Sequence, residues 1–491
     1  MIDISRVSWT YPHAEAPALR DLSLQITAGE FIVLCGASGS GKSTALRLMN
    51  GLIPHFHDDG LLTGSVAVAG MITTGVELDE IGLLTGTVLQ HPRRQFFTDS
   101  VREETAFAME NFGFPREQIR ARVEPTVAEL AERVPVGQRL RDLSGGQQQQ
   151  VAIAAATAHD PRILLLDEPS SNLSADAVHR LTSTLAELKA GGVTIVVAEH
   201  RLRYLQDLID RVVVMRDGTI DVEWTAGQFR SVSDEELARE GLRGIVSTVV
   251  LPTLPAAGPS VIDSIDPTDV PASELELEAI RCRLGGRTIV DLDRIGFAAG
   301  EVTAIRGVNG AGKSTLARII TGLQRCDGTV RLDGKTLKPK ERQRASSIVM
   351  QDVQRQLFTD SVEAEIGLAN TGGSDASAVL DVLDLAHLSE RHPLSLSGGQ
   401  QQRLVVAAVR VTGRRIVIFD EPSSGVDRRH LQSISDQIRQ VAADGAIVIL
   451  ISHDDDLLTI AADRQVTLTP ASAERLRTPV RAGRDRMEEA E

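Results

Sequence analysis

The sequence predicts an α/β fold in two consecutive domains, each a mostly parallel sheet covered by helices. Three observations predict it. A glycine-rich loop occurs twice, as GASGSGKST from Gly36 and as GVNGAGKST from Gly307, each between an apolar strand-like run and a helix-like run. LSGGQ occurs at 143–147 and at 396–400, and an acid pair closes an apolar run in ILLLDEP and again in IVIFDEP. The later motifs share one register, since 397−144, 420−167 and 453−200 all give 253. Motif sets in register at that period mark an internal duplication.

The first domain is expected over 1–230. FIVLCG is a short buried strand feeding the first glycine-rich loop, and TALRLMNGL continues with helical spacing, stopped at Gly51. RILLLD and TIVVAE are further buried strands, separated by the helical stretch ADAVHRLTSTLAELKA. Strands alternating with helices imply parallel pairing with helices on the faces. GTIDVEW and, in the second half, VRLDG read as half-exposed strands. Residues 231–273 are expected to be a linker; SVSDEELARE has helical character and the rest is rich in Pro, Ser and Asp. The second domain is expected over 274–470 and a charged tail over 471–491. The first half is 18 residues longer between loop and LSGGQ (271 against 253), and GLIPHFHDDGLLTG is expected to be part of that excess as a surface loop.

Composition narrows the function classes. The chain has 491 residues, room for two domains of ordinary size. No apolar run approaches the ~20 residues of a membrane helix, and MIDISRVSWTY lacks the pattern of a secretion leader. The net charge of −15 argues against nucleic acid as a partner and against direct insertion into anionic lipid. Cys35, Cys282 and Cys326 have no pairing or metal spacing and read as isolated thiols. The chain has only six lysines, and two of them, Lys42 and Lys313, sit in the glycine-rich loops.

Each motif has a chemical reason. In the loops, Gly36, Ser38, Gly39 and Gly41, and Gly307, Asn309, Gly310 and Gly312, let backbone N–H groups face an anion at a helix start. Lys42 and Lys313 would neutralise phosphates, Ser43 and Ser314 would ligate Mg²⁺, and Thr44 and Thr315 follow them. Asp167 and Asp420 would hold the same cation, while Glu168 and Glu421 would orient and polarise an attacking water. His200 and His453 follow the next strand in register and would contact the terminal phosphate. Gln90 and Gln351 end TGTVLQ and SSIVMQ, where they would touch the cation or the water. Ser144 and Ser397 would cap helices, with Gly145, Gly146 and Gln147, and Gly398, Gly399 and Gln400, baring a second anion-binding helix end.

A phosphate loop together with LSGGQ resembles the ATP-binding cassette (ABC) family, over essentially both domains. The resemblance implies tandem P-loop NTPase cassettes, each with a parallel core, an antiparallel β subdomain and an α-helical signature subdomain. It implies ATP and Mg²⁺ as ligands, and hydrolysis of the ATP. In that family two cassettes pair head to tail, so the halves would pair within the chain. Site one would then be Lys42, Ser43, Gln90, Asp167, Glu168 and His200, closed by Ser397, Gly398 and Gly399. Site two would be Lys313, Ser314, Gln351, Asp420, Glu421 and His453, closed by Ser144, Gly145 and Gly146. The sites are expected to be unequal. Tyr11 stands where the family stacks an aromatic on adenine, but the second half offers Leu284. The family's loop acid is present as Asp427 and replaced by Ser174. The helical Arg is present as Arg403 and replaced by Gln150. Tyr11, Asp427 and Arg403 would all serve site one, which is expected to turn over faster.

The segments after the two Gln residues, RRQFFTDSVREETAFAMENFG and QRQLFTDSVEAEIGLAN, resemble the ATPases of energy-coupling factor (ECF) importers. That resemblance implies a transmembrane coupling protein and a small membrane substrate-binding protein as partners. It also implies a vitamin or transition-metal cargo and a peripheral place on the cytoplasmic face of the membrane. Asp99, Glu104, Asp360 and Glu365 are expected to meet basic residues of the coupling protein. Two other readings stay open: the ATPase of another ABC importer class, and a soluble tandem ABC ATPase acting on ribosomes. The Pro-rich linker and the absence of Cys clusters weigh against the second.

Overall fold

The computed structural model describes residues 1–242 and 274–470, apart from 13, 15, 38, 58, 172, 309, 351, 352, 371, 372, 374, 397 and 424–427. Most of the expected linker and all of the expected tail lie outside the described residues. The chain forms two compact units, the first mainly Met1–Thr248 and the second mainly Val249–Glu491.

In the first unit an antiparallel sheet comes from β1 (Ile2–Thr10), β2 (Leu19–Ile26), β4 (Leu61–Val68) and β5 (Met71–Ile72), in the order β2-β1-β4-β5. β1 alternates buried and exposed positions, as expected of a sheet wet on one face, and its inward Trp9 is fully buried. The main sheet comes from β3 (Phe31–Cys35), β6 (Thr85–Val88), β7 (Ile163–Asp167), β8 (Thr194–Ala198), β9 (Arg211–Arg216) and β10 (Thr219–Thr225). Its order is β10-β9-β3-β8-β7-β6, parallel except for β10 against β9. β3 and β8 are buried at every position, so they read as continuous apolar runs rather than alternating ones. A helical layer, Val101–Asn111, Arg116–Ala131 and Gly145–Thr157, encloses a small core of Val101, Val134, Leu140, Leu143 and Val151.

The second unit repeats this plan. β11 (Leu275–Leu284), β12 (Arg287–Phe297), β14 (Asp327–Leu332) and β15 (Lys335–Thr336) form the antiparallel sheet. β13 (Val302–Arg306), β16 (Ser346–Val349), β17 (Ile416–Asp420), β18 (Ile447–Ile451) and β19 (Arg464–Thr467) form an all-parallel sheet, ordered β16-β17-β18-β13-β19.

The register places the chemistry. β8 lies between β3 and β7, and Ala198 stands opposite both Leu34 and Asp167. The glycine-rich loop, the acid pair and His200 therefore leave the sheet at one carboxyl edge, the general ligand edge of open parallel sheets. In the second unit Ile451 stands opposite Ile305 and Asp420 in the same way.

Two expectations are corrected. GLIPHFHDDGLLTG is not simply a surface loop: Leu52–His55 is a helical turn and Leu61 opens β4, with Ile53 buried. The segment after residue 230 does not leave the first unit at once, because Leu237 and Leu242 are buried in its core. All three cysteines are free, and the Cys282 thiol is pushed up by burial and by the nearby Cys326.

Candidate functional site

Each glycine-rich loop is shaped by glycines that no other residue could replace without movement. Gly36 has φ 136°, and a Cβ there would lie 2.1 Å from the carbonyl oxygen of Met215. Gly307 has φ 147°, and a Cβ there would lie 2.5 Å from that of Leu468. Gly41 and Gly312, both left-handed, stand just before the helices Lys42–Met49 and Lys313–Ile320. The lysines fold back over their loops. Lys42 Nζ donates to the carbonyls of Gly36 and Ala37, each at 2.9 Å, and Lys313 Nζ to that of Gly307 at 2.7 Å. Burial pulls the Lys313 ammonium below its usual range, opposed by the nearby Glu421 and Asp420.

At the end of β7, Ser43 Oγ donates to Asp167 Oδ1 at 3.0 Å. Burial pushes the Asp167 carboxyl up, and the Ser43 hydrogen bond works against it. Asp420 behaves alike: burial raises it, while Ser314 and Lys313 oppose. A partly desolvated carboxylate beside a serine hydroxyl fits a hard divalent cation that takes oxygen ligands, as Mg²⁺ does.

The next residue in each half is strained. Glu168 has φ 45° and Glu421 has φ 52°, in the left-handed region that a long side chain seldom adopts. Backbone bonds from Glu168 N to Ala198 O and from Glu421 N to Ile451 O, each 2.8 Å, hold them there. Both halves thus place the glutamate after the strand-ending Asp in the same left-handed conformation.

The two glutamates have different partners. Glu168 Oε1 lies 2.9 Å from His200 Nε2, and its Oε2 accepts from Gln90 Nε2 at 2.6 Å. Glu421 Oε2 accepts instead from the backbone N–H of His453 at 3.3 Å and from Ser452 Oγ at 3.4 Å. His453 Nε2 stays 3.7 Å from Glu421 Oε1. Burial pushes Glu421 up to about 7, with Asp420 adding to the rise and the His453 N–H and Lys313 opposing it.

Tyr11 stands beside the first loop. Its hydroxyl is 3.2 Å from Thr44 Oγ1 and accepts from Arg47 at 2.9 Å, and its ring meets Trp9 and His57 edge-on. Leu284 is exposed at the end of β11. Ser144 caps the helix Gly145–Thr157 in a capping box with Gln147, and a Cβ on Gly146 would lie 2.7 Å from that of Ala177. Gly398, Gly399 and Gln400 open the matching helix Gly398–Thr412. Ser38, Asn309, Gln351, Ser397 and Asp427 lie outside the described residues.

The acids after each Gln divide. Glu104 and Glu365 are buried and turned inward. Glu104 Oε2 accepts from Phe97 N, Thr98 N and Thr98 Oγ1 at 2.9–3.0 Å, and Glu365 Oε2 repeats this with Phe358 N, Thr359 N and Thr359 Oγ1. They cannot meet a partner's basic residues, because burying a carboxylate requires its lone pairs to be filled internally. Asp99 and Asp360 stay exposed. What the pinned turns present outward is Phe97, 74% exposed, and Phe358, 75% exposed.

Two residues escaped sequence reasoning. Glu199 is buried beside His200, and it accepts a hydrogen bond at 2.9 Å from the hydroxyl of the half-buried Tyr204. The available signal was a break in the repeat: at the 253-residue offset they become Ser452 and Leu457.

Comparison with known proteins gives one answer about family. The family model described as ABC transporter matches residues 19–171 and 293–424. A Treponema denticola protein provisionally named as an ABC transporter ATP-binding protein is 38% identical over 472 residues, 96% of this chain and 95% of its own. A Bacillus subtilis protein provisionally named as the HMP/thiamine import ATP-binding protein YkoD is 28% identical, over 95% of this chain and 90% of its own. In fold, the chain is similar to a structure of ribosome-bound archaeal Pelota and ABCE1, with a TM-score of 0.62 and 22% identity, covering 94% of this chain and 76% of that one.

Proposed function

Because the chain belongs to the ABC transporter family of Mg²⁺-dependent, ATP-hydrolysing cassettes and carries two of them, we propose that it is the energy-coupling subunit of an ECF-type importer. Its cargo would be a micronutrient, a vitamin or transition-metal ion, carried through separate membrane subunits. The observation that carries this reading is the matched pair of turns after the Gln positions, each exposing a phenylalanine and each pinned by a buried glutamate. A solvent-facing aromatic on a hydrogen-bonded turn at the same place in both halves is suited to docking an apolar helix. The import function in the name of the Bacillus subtilis relative points the same way. Among the described residues no helix is long and apolar enough to cross a membrane, so the chain would sit peripherally on its membrane partners at the cytoplasmic face.

The residues divide the work. Lys42 and Lys313 exchange the loop carbonyls for phosphate oxygens. Ser43 with Asp167, and Ser314 with Asp420, would hold Mg²⁺, which would supply charge neutralisation at the phosphates. Glu168 and Glu421 would orient the attacking water and polarise it, His200 and His453 would contact the terminal phosphate, and Gln90 and Gln351 would touch the cation or the water. We infer that the halves pair so that Ser397, Gly398 and Gly399 complete the first site and Ser144, Gly145 and Gly146 the second. Tyr11, Asp427 and Arg403 favour the first. Closing and reopening of the pair is transmitted through 91–113 and 352–370 to the membrane partner.

The test is affinity purification of the tagged chain from detergent-solubilised native membranes, with mass spectrometry. The expected result is a multi-spanning coupling protein plus a small hydrophobic partner, both lost in Phe97→Asp/Phe358→Asp. Recovery of ribosomes, or retention of both partners by the double variant, would overturn the reading.

A further inference from the structure

We propose that Glu199 is a positioning residue for hydrolysis in the first half: it ties the His200 switch to the turn that follows Glu168, and so sets the His200 imidazole on the Glu168 carboxylate. The inference rests on Glu168 being the carboxylate that activates water.

The side chain of Glu199 is 3% exposed, yet four donors converge on it. Oε1 accepts from the backbone N–H of His200 at 2.8 Å and of Arg201 at 3.2 Å. Oε2 accepts from the hydroxyl of Tyr204 at 2.9 Å and from the backbone N–H of Ser170 at 3.3 Å. Burial, followed by the Glu199 charge, pushes the Tyr204 phenol well above its usual range, so it stays protonated and donates. The backbone N–H of Glu199 donates to Leu34 O at 3.0 Å, on the strand that enters the glycine-rich loop. One side chain therefore joins the switch, the turn after the acid pair and the Arg203–Leu205 turn into a single hydrogen-bonded unit. A buried carboxylate is tolerated only when its lone pairs are filled, so Glu199 and Tyr204 depend on each other.

The second half shows what happens without them. Ser452 is too short to reach across, and Leu457 brings no hydroxyl. The Ser452 hydroxyl bonds Glu421 itself, and the His453 N–H turns to the same oxygen. The imidazole then stands 3.7 Å from the glutamate, against 2.9 Å in the first half. Glu199 thus draws the switch N–H away from the reactive carboxylate and leaves that carboxylate to side chains. The ring depends on this placement, because its Nδ1 is buried without a hydrogen-bond partner and Nε2 is its polar anchor.

The test uses the full chain in a Glu421→Gln background, so that turnover reports Glu168. Glu199→Ser should lower kcat about tenfold while KM for MgATP stays within about twofold, the pattern of a lost alignment rather than lost binding. Glu199→Gln keeps one acceptor oxygen and should lose less. Tyr204→Phe removes one donor, leaves the switch amides bonded, and should lose least. Hydrogen exchange on nucleotide-free protein provides a readout independent of activity: in Glu199→Ser the amides of Ser170, His200 and Arg201 should exchange at least about tenfold faster while β3 and β8 keep their protection. The proposal fails if those amides are freed and kcat does not change, or if exchange spreads through β3 and β8 with KM and kcat falling together. Glu168→Gln in the same background separates the two ideas: unchanged turnover there would sink the assignment of Glu168 and not the placement of His200.

Discussion

Glu421→Gln in nucleotide-free, chelator-treated protein should raise the stability of the second unit, and only above a definite pH. Burial holds the Glu421 carboxyl near about 7, against an ordinary 4.5. As pH rises from 4.5, the unfolded chain releases this proton first, so the folded unit binds more protons and loses stability until about pH 7. A glutamine has the same shape, still accepts from the His453 N–H and has no charge to desolvate. One pKa step is about 1.4 kcal/mol, so the interval caps the penalty at about 3 kcal/mol. The carboxylate side chain retains 23% exposure, and solvent screening brings the expected gain to about 1–2 kcal/mol. The assay is urea unfolding at fixed pH values from 5 to 9. Both tryptophans, Trp9 and Trp224, lie in the first half, so their fluorescence reports the first unit and far-UV circular dichroism reports both. The variant's advantage should be smallest at pH 5, where about a quarter of it is present, and should reach its full amount above pH 8, with the fluorescence transition unmoved. A gain that is the same at every pH, or none, would refute the reasoning.

Glu168→Gln and Glu421→Gln should each slow ATP hydrolysis by about a hundredfold at its own site, and Glu168→Gln should remove the larger share of total turnover; equal losses in steady-state assays would count against unequal sites. Gly36→Ala should abolish measurable nucleotide binding, because its Cβ would press on Met215 O at 2.1 Å, whereas Gly39→Ala, with nothing within 4 Å, should bear only the left-handed cost of about 1–2 kcal/mol; titration with a fluorescent nucleotide compares them. Glu104→Ala should destabilise the first unit by about 2–4 kcal/mol through two backbone N–H groups left without an acceptor, while the Thr98 hydroxyl keeps Ser100 O at 3.2 Å, and hydrogen exchange at Phe97 and Thr98 should rise first.

Much was legible in the sequence because the ligand apparatus is written locally. A glycine at a left-handed position, a lysine six residues after it and a serine that caps a helix need only nearby backbone to act. The 253-residue register then carried the same reading to the second half, and five-residue apolar runs identified the central strands. The difference between the halves was only partly legible. Tyr11 against Leu284 was visible by alignment of the repeats, whereas Glu199 against Ser452 was visible but had no meaning without its neighbours.

The sequence by itself therefore determined the duplication and the residues at each carboxyl edge through short-range spacing, and the family and its ligands through the resemblance its motifs carry. The tertiary structure decided which way side chains turn and what they meet. Glu104 and Glu365 faced inward because backbone N–H groups of a folded-back turn surround them. Glu168 and Glu421 adopted left-handed backbones because a parallel neighbour captures their N–H groups. Each of these depends on segments far apart in the chain meeting at hydrogen-bond distance, and residue spacing along one strand does not encode that.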